Sequence, residues 1–357
     1  MATFAFGKTV VRTPFDMKVM NDIADELMTW YDANHRVLPW RETTDPYAVW
    51  VSEIILQQTR VAQGYDYYLR FLRAFPDVQS LAAADEDEVL RVWQGLGYYS
   101  RARNMQAAAR QVVEMGGFPA TYEGLLSLKG VGDYTAAAIG SFAFGLPVAV
   151  VDGNVYRILT RLFAVDTPID TAAGKREVAE LASHLLPADD SAHYNQAVMD
   201  FGALQCVPHN PDCASCPLAD KCLALGQGRV EAFPVKSHKT KVSERYFDYF
   251  FIHDDSHMYL HKRQADDIWR GLYELPLREV AHPHGLDEVD VPDLPFSVSS
   301  LRLRGNRKHV LSHQIIHASL YEMVAEGKLP AWEDYIIIRM DERENYAFPR
   351  LIQLFLE

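Results

Sequence analysis

The chain has 357 residues, of which 48% are hydrophobic and 23% are charged. At roughly 150 residues per domain, this length predicts two or three packed units, and the composition excludes a wholly disordered protein. Lysine and arginine total 35 against 48 acidic residues, so the formal net charge is −13. This balance excludes a histone-like blanket of positive charge, and any nucleic-acid-binding surface must be local.

Targeting signals and membrane spans are not evident. Residues 1–16 contain no apolar run suited to a signal peptide, and no stretch elsewhere approaches about 18 uninterrupted apolar residues. We therefore expect a soluble, cytoplasmic protein without a membrane partner.

Residues 17–228 carry a helical pattern with almost no alternation of period two. Apolar residues recur at three- and four-residue spacing in Val19–Tyr31, Pro46–Gln63, Glu88–Gly95, Arg101–Met115 and Lys175–Leu186. Gly- and Pro-containing breaks between these segments are typical of turns. The pattern predicts an all-α unit.

Glu53 lies within the second helical segment. Helical spacing places it on a stripe with Val49, Trp50, Leu56 and Gln57, so its carboxyl emerges from a largely apolar face. Such a face raises the pKa of a carboxyl towards a value useful for a general acid. An ion pair with Arg41 or Arg101 is an equally good interpretation of the segment.

Two further segments place polar groups next to predicted helices. Gly130 and Gly132 bound a hairpin before Asp133-Tyr134-Thr135 and an Ala-rich helix, where backbone N–H groups could bind a phosphate or simply form a tight turn. Asp152 and Asn154 precede a second helical segment. Either is most simply a helix N-cap, although an ionised carboxylate there could also stabilise a developing cation.

All four cysteines, Cys206, Cys213, Cys216 and Cys222, fall within one short segment. A disulfide-bonded secreted protein would distribute its cysteines more widely, so the clustering indicates a metal site. Four thiolates suit zinc and an iron–sulfur cluster equally well in principle, and the spacing alone leaves that choice open.

The pattern changes after a polar linker at residues 229–245. Strand-like segments rich in aromatic and β-branched residues follow, then a closing helix, which together predict a mixed α+β unit at residues 246–357. The predicted strands are Tyr246–His253, Met258–Lys262, Phe296–Arg304, His317–Val324 and Tyr335–Arg339, the helix is Tyr346–Leu356, and Pro283–Pro295 is a solvated loop.

Six motifs occur in a fixed order: Leu38-Pro39-Trp40-Arg41, the Glu53 segment through Thr59, Gly95–Arg103, the Gly130 hairpin, Val151-Asp152-Gly153-Asn154 and the cysteines. Together they resemble the A/G-specific adenine DNA glycosylases of the helix-hairpin-helix superfamily, which are relatives of endonuclease III. The resemblance covers most of residues 17–357 and leaves residues 1–16 as an N-terminal extension. It implies a multi-domain protein in which an all-α catalytic domain (17–228), with a six-helix lobe and an iron–sulfur lobe, precedes a Nudix-like domain.

The resemblance implies an enzyme that flips adenosine out of duplex DNA and removes adenine mispaired with 8-oxoguanine or guanine. Glu53 would protonate the adenine, Asp152 would stabilise the oxocarbenium ion, and Asn154 and Tyr134 would position the reacting groups. Endonuclease III relatives have a Schiff-base lysine where Tyr134 stands. A phenol cannot form that intermediate, so we expect a monofunctional glycosylase with little or no β-lyase activity.

The same matching assigns the DNA contacts and the cofactor. Gly130 and Gly132 would bind the backbone, and the wedge that fills the gap left by the extruded base would comprise Gln58, Thr59, Leu96 and Tyr98. Core packing at a helix end is the alternative for Leu96 and Tyr98. The four cysteines would hold one [4Fe-4S] cluster, and the partner would be mispaired duplex DNA bound by a monomer.

The C-terminal unit resembles the Nudix-like domain of these glycosylases through Ile268–Pro276 and Val310-Leu311-Ser312-His313. Ser312 and His313 would read 8-oxoguanine, although Leu311 replaces the usual Phe. Leu277–Val289 lacks the acidic metal-binding helix of true Nudix hydrolases, so we expect no pyrophosphatase activity. A nearby basic run has no acidic sequence neighbour and suits either phosphate contacts or a solvated basic turn: Arg302, Arg304, Arg307 and Lys308.

Two other functions fit parts of the sequence. A bifunctional enzyme of the endonuclease III type, acting on oxidised pyrimidines, would need only the helical unit, and Tyr134 counts against it. A non-catalytic sensor of DNA damage would need neither Glu53 nor Asp152. The location within the cell would be cytoplasmic, and nucleoid-associated if the source is bacterial.

Overall fold

The computed structural model describes residues 5–6, 9–10, 17–238, 242–283, 285–286 and 289–357. The chain divides into two compact units, each built from two stretches of sequence. Unit 1 comprises Met1–Arg60 and Gln111–Lys239, and unit 2 comprises Val61–Arg110 and Thr240–Glu357. This division separates helices that the sequence placed together in residues 17–228. Of the expected extension at residues 1–16, only two short paired strands are described, β1 (Ala5–Phe6) and β2 (Thr9–Val10).

Residues 17–228 are mainly helical, as the sequence predicts. The helices are α1 (Met17–Asn34), α2 (Pro46–Leu56), α3 (Val61–Ala74), α4 (Val78–Ala83), α5 (Glu86–Trp93), α6 (Ser100–Glu114), α7 (Tyr122–Leu126), α8 (Asp133–Phe144), α9 (Gly153–Leu162), α10 (Ala172–Leu185), α11 (Ser191–Leu204) and α12 (Leu223–Gly226). Short 3₁₀ turns at Pro39–Arg41, Ala219–Lys221 and Val230–Ala232 supplement them. A core of α1, α9, α10 and α11 residues in unit 1 includes Leu27, Leu159 and Phe201.

The segment Pro46–Gln63, which has helical apolar spacing, is divided between two helices, because α2 ends at Leu56 and α3 begins at Val61. Asp45 caps the start of α2 by accepting hydrogen bonds from the N–H groups of Tyr47 (3.3 Å) and Ala48 (3.1 Å). Gln58, between the two helices, has φ +57°, a left-handed conformation that cannot continue a right-handed helix. The apolar spacing continues through this break, because the periodicity of a sequence does not reveal the dihedral angles of a single residue.

The C-terminal part of unit 2 is a mixed seven-stranded sheet. Its strands are β3 (Ser243–His253), β4 (His257–Lys262), β5 (Tyr273–Glu274), β6 (Leu277–Val280), β7 (Val298–Val310), β8 (Gln314–Ala325) and β9 (Ile336–Arg339), and α13 (Arg350–Leu356) follows. The main order is β5-β4-β3-β8-β7, in which β3 and β8 run parallel. Strands β6 and β9 pair with β3 and β4. The helix α13 packs on one face, where Leu351, Ile352 and Phe355 join the core.

Two sequence-based expectations need correction in this sheet. The short strands β5 and β6 were not predicted, and β6 occupies part of the segment in which a Nudix hydrolase would carry its acidic helix. The predicted strand Phe296–Arg304 continues to Val310, so Arg307 and Lys308 lie on β7 and not in a turn. In the predicted loop Pro283–Pro295, residues 284, 287 and 288 lie outside the described residues, as do 239–241 of the predicted linker.

The two stretches of sequence that form unit 2 contact each other through polar side chains. Asp87 of α5 accepts hydrogen bonds from the Tyr273 hydroxyl at 2.9 Å and from Lys262. The Gln94 side-chain oxygen accepts a bond of 3.1 Å from the N–H of Phe348. These contacts explain why residues 61–110 cluster with the C-terminal sheet. Across the described residues, the helices are all too short or too polar to span a bilayer.

Candidate active site

Glu53 and Tyr134 form the centre of the candidate site in unit 1. Glu53 lies on α2 and is 6% exposed, and the Tyr134 hydroxyl, on the second residue of α8, donates a hydrogen bond to its Oε2. Helices α2 and α8 pack against each other, which brings together residues 81 positions apart. The residues of α2 from Tyr47 to Ile55 are all buried, so Glu53 is surrounded more completely than the predicted stripe implied.

Burial is the main reason that the pKa of Glu53 is raised to about 7. The hydrogen bond from Tyr134 lowers it, the nearby Asp152 carboxyl raises it, and the positive charge of Arg41 lowers it. A carboxyl with this pKa is substantially protonated near neutral pH, which is the state that a general acid requires.

The alternative interpretation of Glu53 as the ion-pair partner of Arg41 is wrong. Both terminal nitrogens of Arg41 donate to Asp200, with 2.6 Å from Nη1 to Oδ2 and 2.6 Å from Nη2 to Oδ1. Asp200 is buried on α11 and also accepts the Arg36 backbone N–H at 3.0 Å. Glu53 therefore has a phenol as its hydrogen-bond partner and a cation only at longer range. Arg101, the other arginine considered, belongs to unit 2.

Asp152 caps α9, which confirms the helix-cap interpretation. Its Oδ1 accepts the Val155 N–H at 2.8 Å, and its Oδ2 accepts the Asn154 side-chain N–H at 2.7 Å. Burial nevertheless raises the pKa of Asp152, although these hydrogen bonds and the charge of Arg157 oppose the rise. The direction is opposite to that expected for a carboxylate held firmly ionised, so the charged state of Asp152 stays a prediction.

A buried arginine connects Asn154 to the cysteine segment, and sequence reasoning missed it. Arg157 donates from Nη2 to Asn154 Oδ1 at 2.8 Å and from Nε to the carbonyl of Cys206 at 2.8 Å. Gly202 of α11 packs directly against α9, where a Cβ would lie 2.5 Å from the Cβ of Asn154. Arg157 and Arg161, four residues apart among the apolar residues Val155, Ile158, Leu159 and Leu162 of α9, were the available sequence signal.

The four cysteines are half-buried and belong to unit 1. Burial, and then the neighbouring thiols Cys206, Cys213 and Cys222, raise the pKa of Cys216 to about 11. Arg161 donates from Nη1 to the Cys206 sulfur at 3.4 Å. Four soft donors in mutual electrostatic range suit a thiolate-bound metal centre, either zinc or an iron–sulfur cluster. Among the described residues, no three His, Cys, Asp or Glu side chains converge closely enough for a single ion.

The predicted DNA-contacting residues of unit 1 lie on exposed turns. Gly130, with φ +75°, and Gly132, the N-cap of α8, form the predicted hairpin between α7 and α8. A Cβ at Gly132 would meet no described heavy atom within 4 Å, chain neighbours aside, so the position is sterically open. Gln58 is exposed and Thr59 is half-buried in the turn after α2.

The predicted wedge and lesion-reading residues of unit 2 meet directly. Tyr98, with φ +48°, is 47% exposed, and its hydroxyl contacts the Ser312 hydroxyl. Core packing is therefore wrong for Tyr98, whereas Leu96 is 9% exposed, as core packing requires. Ser312 and His313 are exposed between β7 and β8, and Leu311 packs against the core.

The basic run on β7 has an acidic neighbour in space, contrary to its appearance in the sequence. Glu322 of β8 lies opposite Arg302 and forms an ion pair with it. Arg304 Nη1 lies 3.7 Å from the same carboxylate. Two of the four cations are therefore partly neutralised across the β7–β8 pair.

Comparison with known proteins identifies the family. The pattern of the HhH-GPD superfamily base excision DNA repair proteins matches residues 51–187, and the NUDIX domain pattern matches residues 248–357. The adenine DNA glycosylase of Rattus norvegicus is 34% identical over 389 aligned positions, which cover 90% of this chain and 75% of the rat protein. This chain belongs to the adenine DNA glycosylase family. It is thus a base-excision DNA repair enzyme that hydrolyses an N-glycosidic bond, with the predicted fold class.

Two other adenine DNA glycosylases are also similar to this chain. The protein of Buchnera aphidicola subsp. Acyrthosiphon pisum is 32% identical, covering 70% of this chain and 72% of its own length. The human protein is 42% identical over 220 residues, which cover 58% of this chain but only 40% of the human protein.

Solved structures place the helical part of this adenine DNA glycosylase in the same fold. A thermostable thymine-DNA glycosylase superposes with a TM-score of 0.55 at 29% identity, covering 59% of this chain and 98% of that protein. A trapped endonuclease III–DNA covalent intermediate superposes with a TM-score of 0.52 at 24% identity, covering 60% and 99%. The second likeness concerns the fold alone.

Proposed function

We propose that this glycosylase excises adenine mispaired with 8-oxoguanine or guanine by acid-catalysed hydrolysis, with Glu53 as the general acid. The observation that carries the proposal is the buried Glu53 carboxyl, whose pKa of about 7 leaves a proton available at neutral pH. Asp152 lies close enough to affect that pKa, so two carboxyls share one site.

The proposed chemistry divides between the two carboxyls. Glu53 transfers its proton to a ring nitrogen of the flipped adenine, and the bond between that base and deoxyribose breaks with its electron pair leaving on adenine. The ionised form of Asp152 stabilises the positive charge that develops on the sugar. Water then adds to the sugar and releases a proton. Asn154 and Tyr134 hold the two carboxyls in place through the hydrogen bonds that they donate.

Monofunctional action follows from the chemistry of Tyr134. A phenol offers no amine to the sugar, so no Schiff base forms there and strand cleavage by β-elimination is not supported. The test is borohydride trapping with abasic DNA. The wild-type protein should form no covalent complex at this site, whereas Tyr134→Lys supplies the missing amine and should form one. Efficient trapping by the wild type would contradict the proposal.

Mispair recognition is assigned to the exposed turns. Tyr98 and Ser312 provide hydroxyls at one point of unit 2, His313 lies beside Ser312, and a hydroxyl can both donate to and accept from the altered edge of 8-oxoguanine. Gly130 and Gly132 would contact the DNA backbone, and Gln58 and Thr59 would fill the gap left by adenine. Leu96 and Tyr98 stay predicted wedge residues. A monomeric state and a cytoplasmic location stay predictions.

The cysteine group is proposed to hold one [4Fe-4S] cluster, which would bind the segment 206–222 together as a structural element. Cys206, Cys213, Cys216 and Cys222 would be its ligands. Iron analysis together with an absorbance band near the visible–ultraviolet boundary tests the assignment, and stoichiometric zinc in anaerobically purified protein would overturn it.

The decisive experiment is single-turnover adenine release from duplexes that carry adenine opposite 8-oxoguanine, guanine or thymine. We expect release opposite the first two and none opposite thymine. Glu53→Gln should abolish release while leaving mispair affinity nearly intact, because the amide keeps the shape but lacks the acidic proton. Retained turnover in that variant would remove Glu53 from the mechanism.

A further inference from the structure

The bidentate ion pair between Arg41 and Asp200 lies near Glu53, the proposed acid. Arg41 ends the short 3₁₀ turn Pro39–Arg41, which packs against α2, and its positive charge already lowers the pKa of Glu53. Its side chain is 12% exposed, so water screens the charge poorly. A buried cation near a carboxyl normally forms an ion pair with it and holds it ionised. Arg41 instead binds Asp200, and the pKa of Glu53 is raised.

Asp200 is the competing partner that holds Arg41 away. It is fully buried on α11, and both of its oxygens accept from Arg41 in a bidentate arrangement with bonds of 2.6 Å. Arg36 adds its backbone N–H and its Nε, each at 3.0 Å. Burial raises the pKa of Asp200, but the hydrogen bonds from the two arginines outweigh it and the net direction is down, so Asp200 is ionised.

We propose that Asp200 is a positioning residue for the reaction: by binding the Arg41 guanidinium, it prevents an Arg41–Glu53 ion pair and leaves the Glu53 carboxyl protonated. The inference rests on the proposed role of Glu53 as the acid. It gives a specific task to a carboxylate that lies on a different helix from either reacting group.

The other groups that face Glu53 are accounted for. Helix α8 presents the Tyr134 phenol, the start of α9 presents Asp152, and the 3₁₀ turn presents Arg41. Around Arg41 itself lie Asp200 and Tyr31. Among these groups, Arg41 is the cation that acts on Glu53, so its release from Asp200 should have a large effect.

The test is the pH profile of single-turnover adenine release in three variants. In Asp200→Asn, Arg41 turns to Glu53, so release at about pH 7.5 should fall about 10-fold or more and recover at about pH 5.5, because a close opposite charge lowers a carboxyl pKa by 1–3 units. The double variant Asp200→Asn with Arg41→Met should regain activity at neutral pH. Arg41→Met alone should move the alkaline limb to higher pH, and this variant keeps the test open if Asp200→Asn does not fold.

A surface ion pair supplies the control. Asp166 and Arg229 pair on the exposed side of unit 1, and Asp166→Asn should leave the pH profile unchanged. An unshifted profile in Asp200→Asn, no recovery in the double variant, or a downward shift in Arg41→Met would overturn the proposal. Glu53→Gln distinguishes failure of the proposed acid from failure of the proposed role of Asp200. Full activity in Glu53→Gln would show that Glu53 is not the general acid. An inactive Glu53→Gln together with an unshifted profile in Asp200→Asn would contradict only the role of Asp200.

Discussion

The Tyr134 hydroxyl donates a hydrogen bond to Glu53 Oε2 from the first turn of α8. This bond favours the ionised carboxylate, while burial favours the protonated acid, and burial is the larger of the two. The pair therefore holds the acid at a pKa of about 7, where a modest change in either factor alters its protonation.

Removing the phenol should move the acid in a predictable direction. In Tyr134→Phe the bond that lowers the pKa of Glu53 is lost, so the pKa should rise and the alkaline limb of adenine release should move to higher pH by up to about 1 unit. Tyr122→Phe is the control, because the Tyr122 hydroxyl donates to Asp133 at 3.3 Å and not to Glu53. A downward shift in Tyr134→Phe would show that the phenol favours the neutral acid.

The raised pKa of Glu53 also predicts a pH dependence of stability. The native pKa of about 7 exceeds the ordinary value of 4.5, so the folded state binds more protons between these values. The stabilising contribution of Glu53 to the free energy of unfolding is therefore fully present below pH 4.5 and is lost as the pH rises through about 7. The loss from this group alone is about 3 kcal/mol. Urea unfolding of the wild type and of Glu53→Gln across this pH range measures how the free energy of unfolding changes with pH. The variant should lack the part of that change that Glu53 contributes.

Two substitutions of Asp152 separate its cap from its charge. Asparagine caps a helix as well as aspartate does, so Asp152→Asn should keep nearly all of the stability but lower single-turnover release by about 100-fold or more. Asp152→Ala should lose the same activity and also about 1 kcal/mol of stability. Thermal unfolding and adenine release are the measurements. Near-normal release by Asp152→Asn would show that a negative charge at position 152 is not needed for the reaction.

Because Tyr98 and Ser312 are in contact, their substitutions should have coupled effects on discrimination between 8-oxoguanine and guanine. Tyr98→Phe and Ser312→Ala should each lower the ratio of the two single-turnover rates by about 3- to 10-fold, since a hydroxyl hydrogen bond contributes about 1 kcal/mol. The double variant should lose little more than either single one. Ser300→Ala, exposed on β7, is the control. Fully additive losses would indicate that the two hydroxyls act separately.

Gly202 should tolerate no side chain, because α11 approaches α9 at this point. In Gly202→Ala the new Cβ would lie 2.5 Å from the Cβ of Asn154 and 3.1 Å from Ile158 Cδ1. We expect a loss of about 1–3 kcal/mol in stability and a larger fractional loss of adenine release, because Asn154 supports Asp152. Gly226→Ala, where a Cβ has open space among the described residues, should change neither.

Local sequence determined several features of this protein correctly. The glycine-bounded hairpin, the Asp152 cap and the longer strands β3, β4 and β8 all depend on neighbouring residues, whose spacing and turn chemistry are visible in one sequence. Ordered motifs also identified the family. The two-residue strand β5 was missed because a pattern of period two needs more residues than it offers.

Only the tertiary structure decided which charges meet. Arg41 was an open candidate partner for Glu53, yet it binds Asp200, which lies 159 positions away in the chain. Glu322, 20 positions from Arg302, likewise becomes its neighbour only when β7 pairs with β8. The protonation of Glu53 depends on such distances and on burial, because electrostatic energies are set by separation in space and by the exclusion of water, and periodicity along a chain specifies neither.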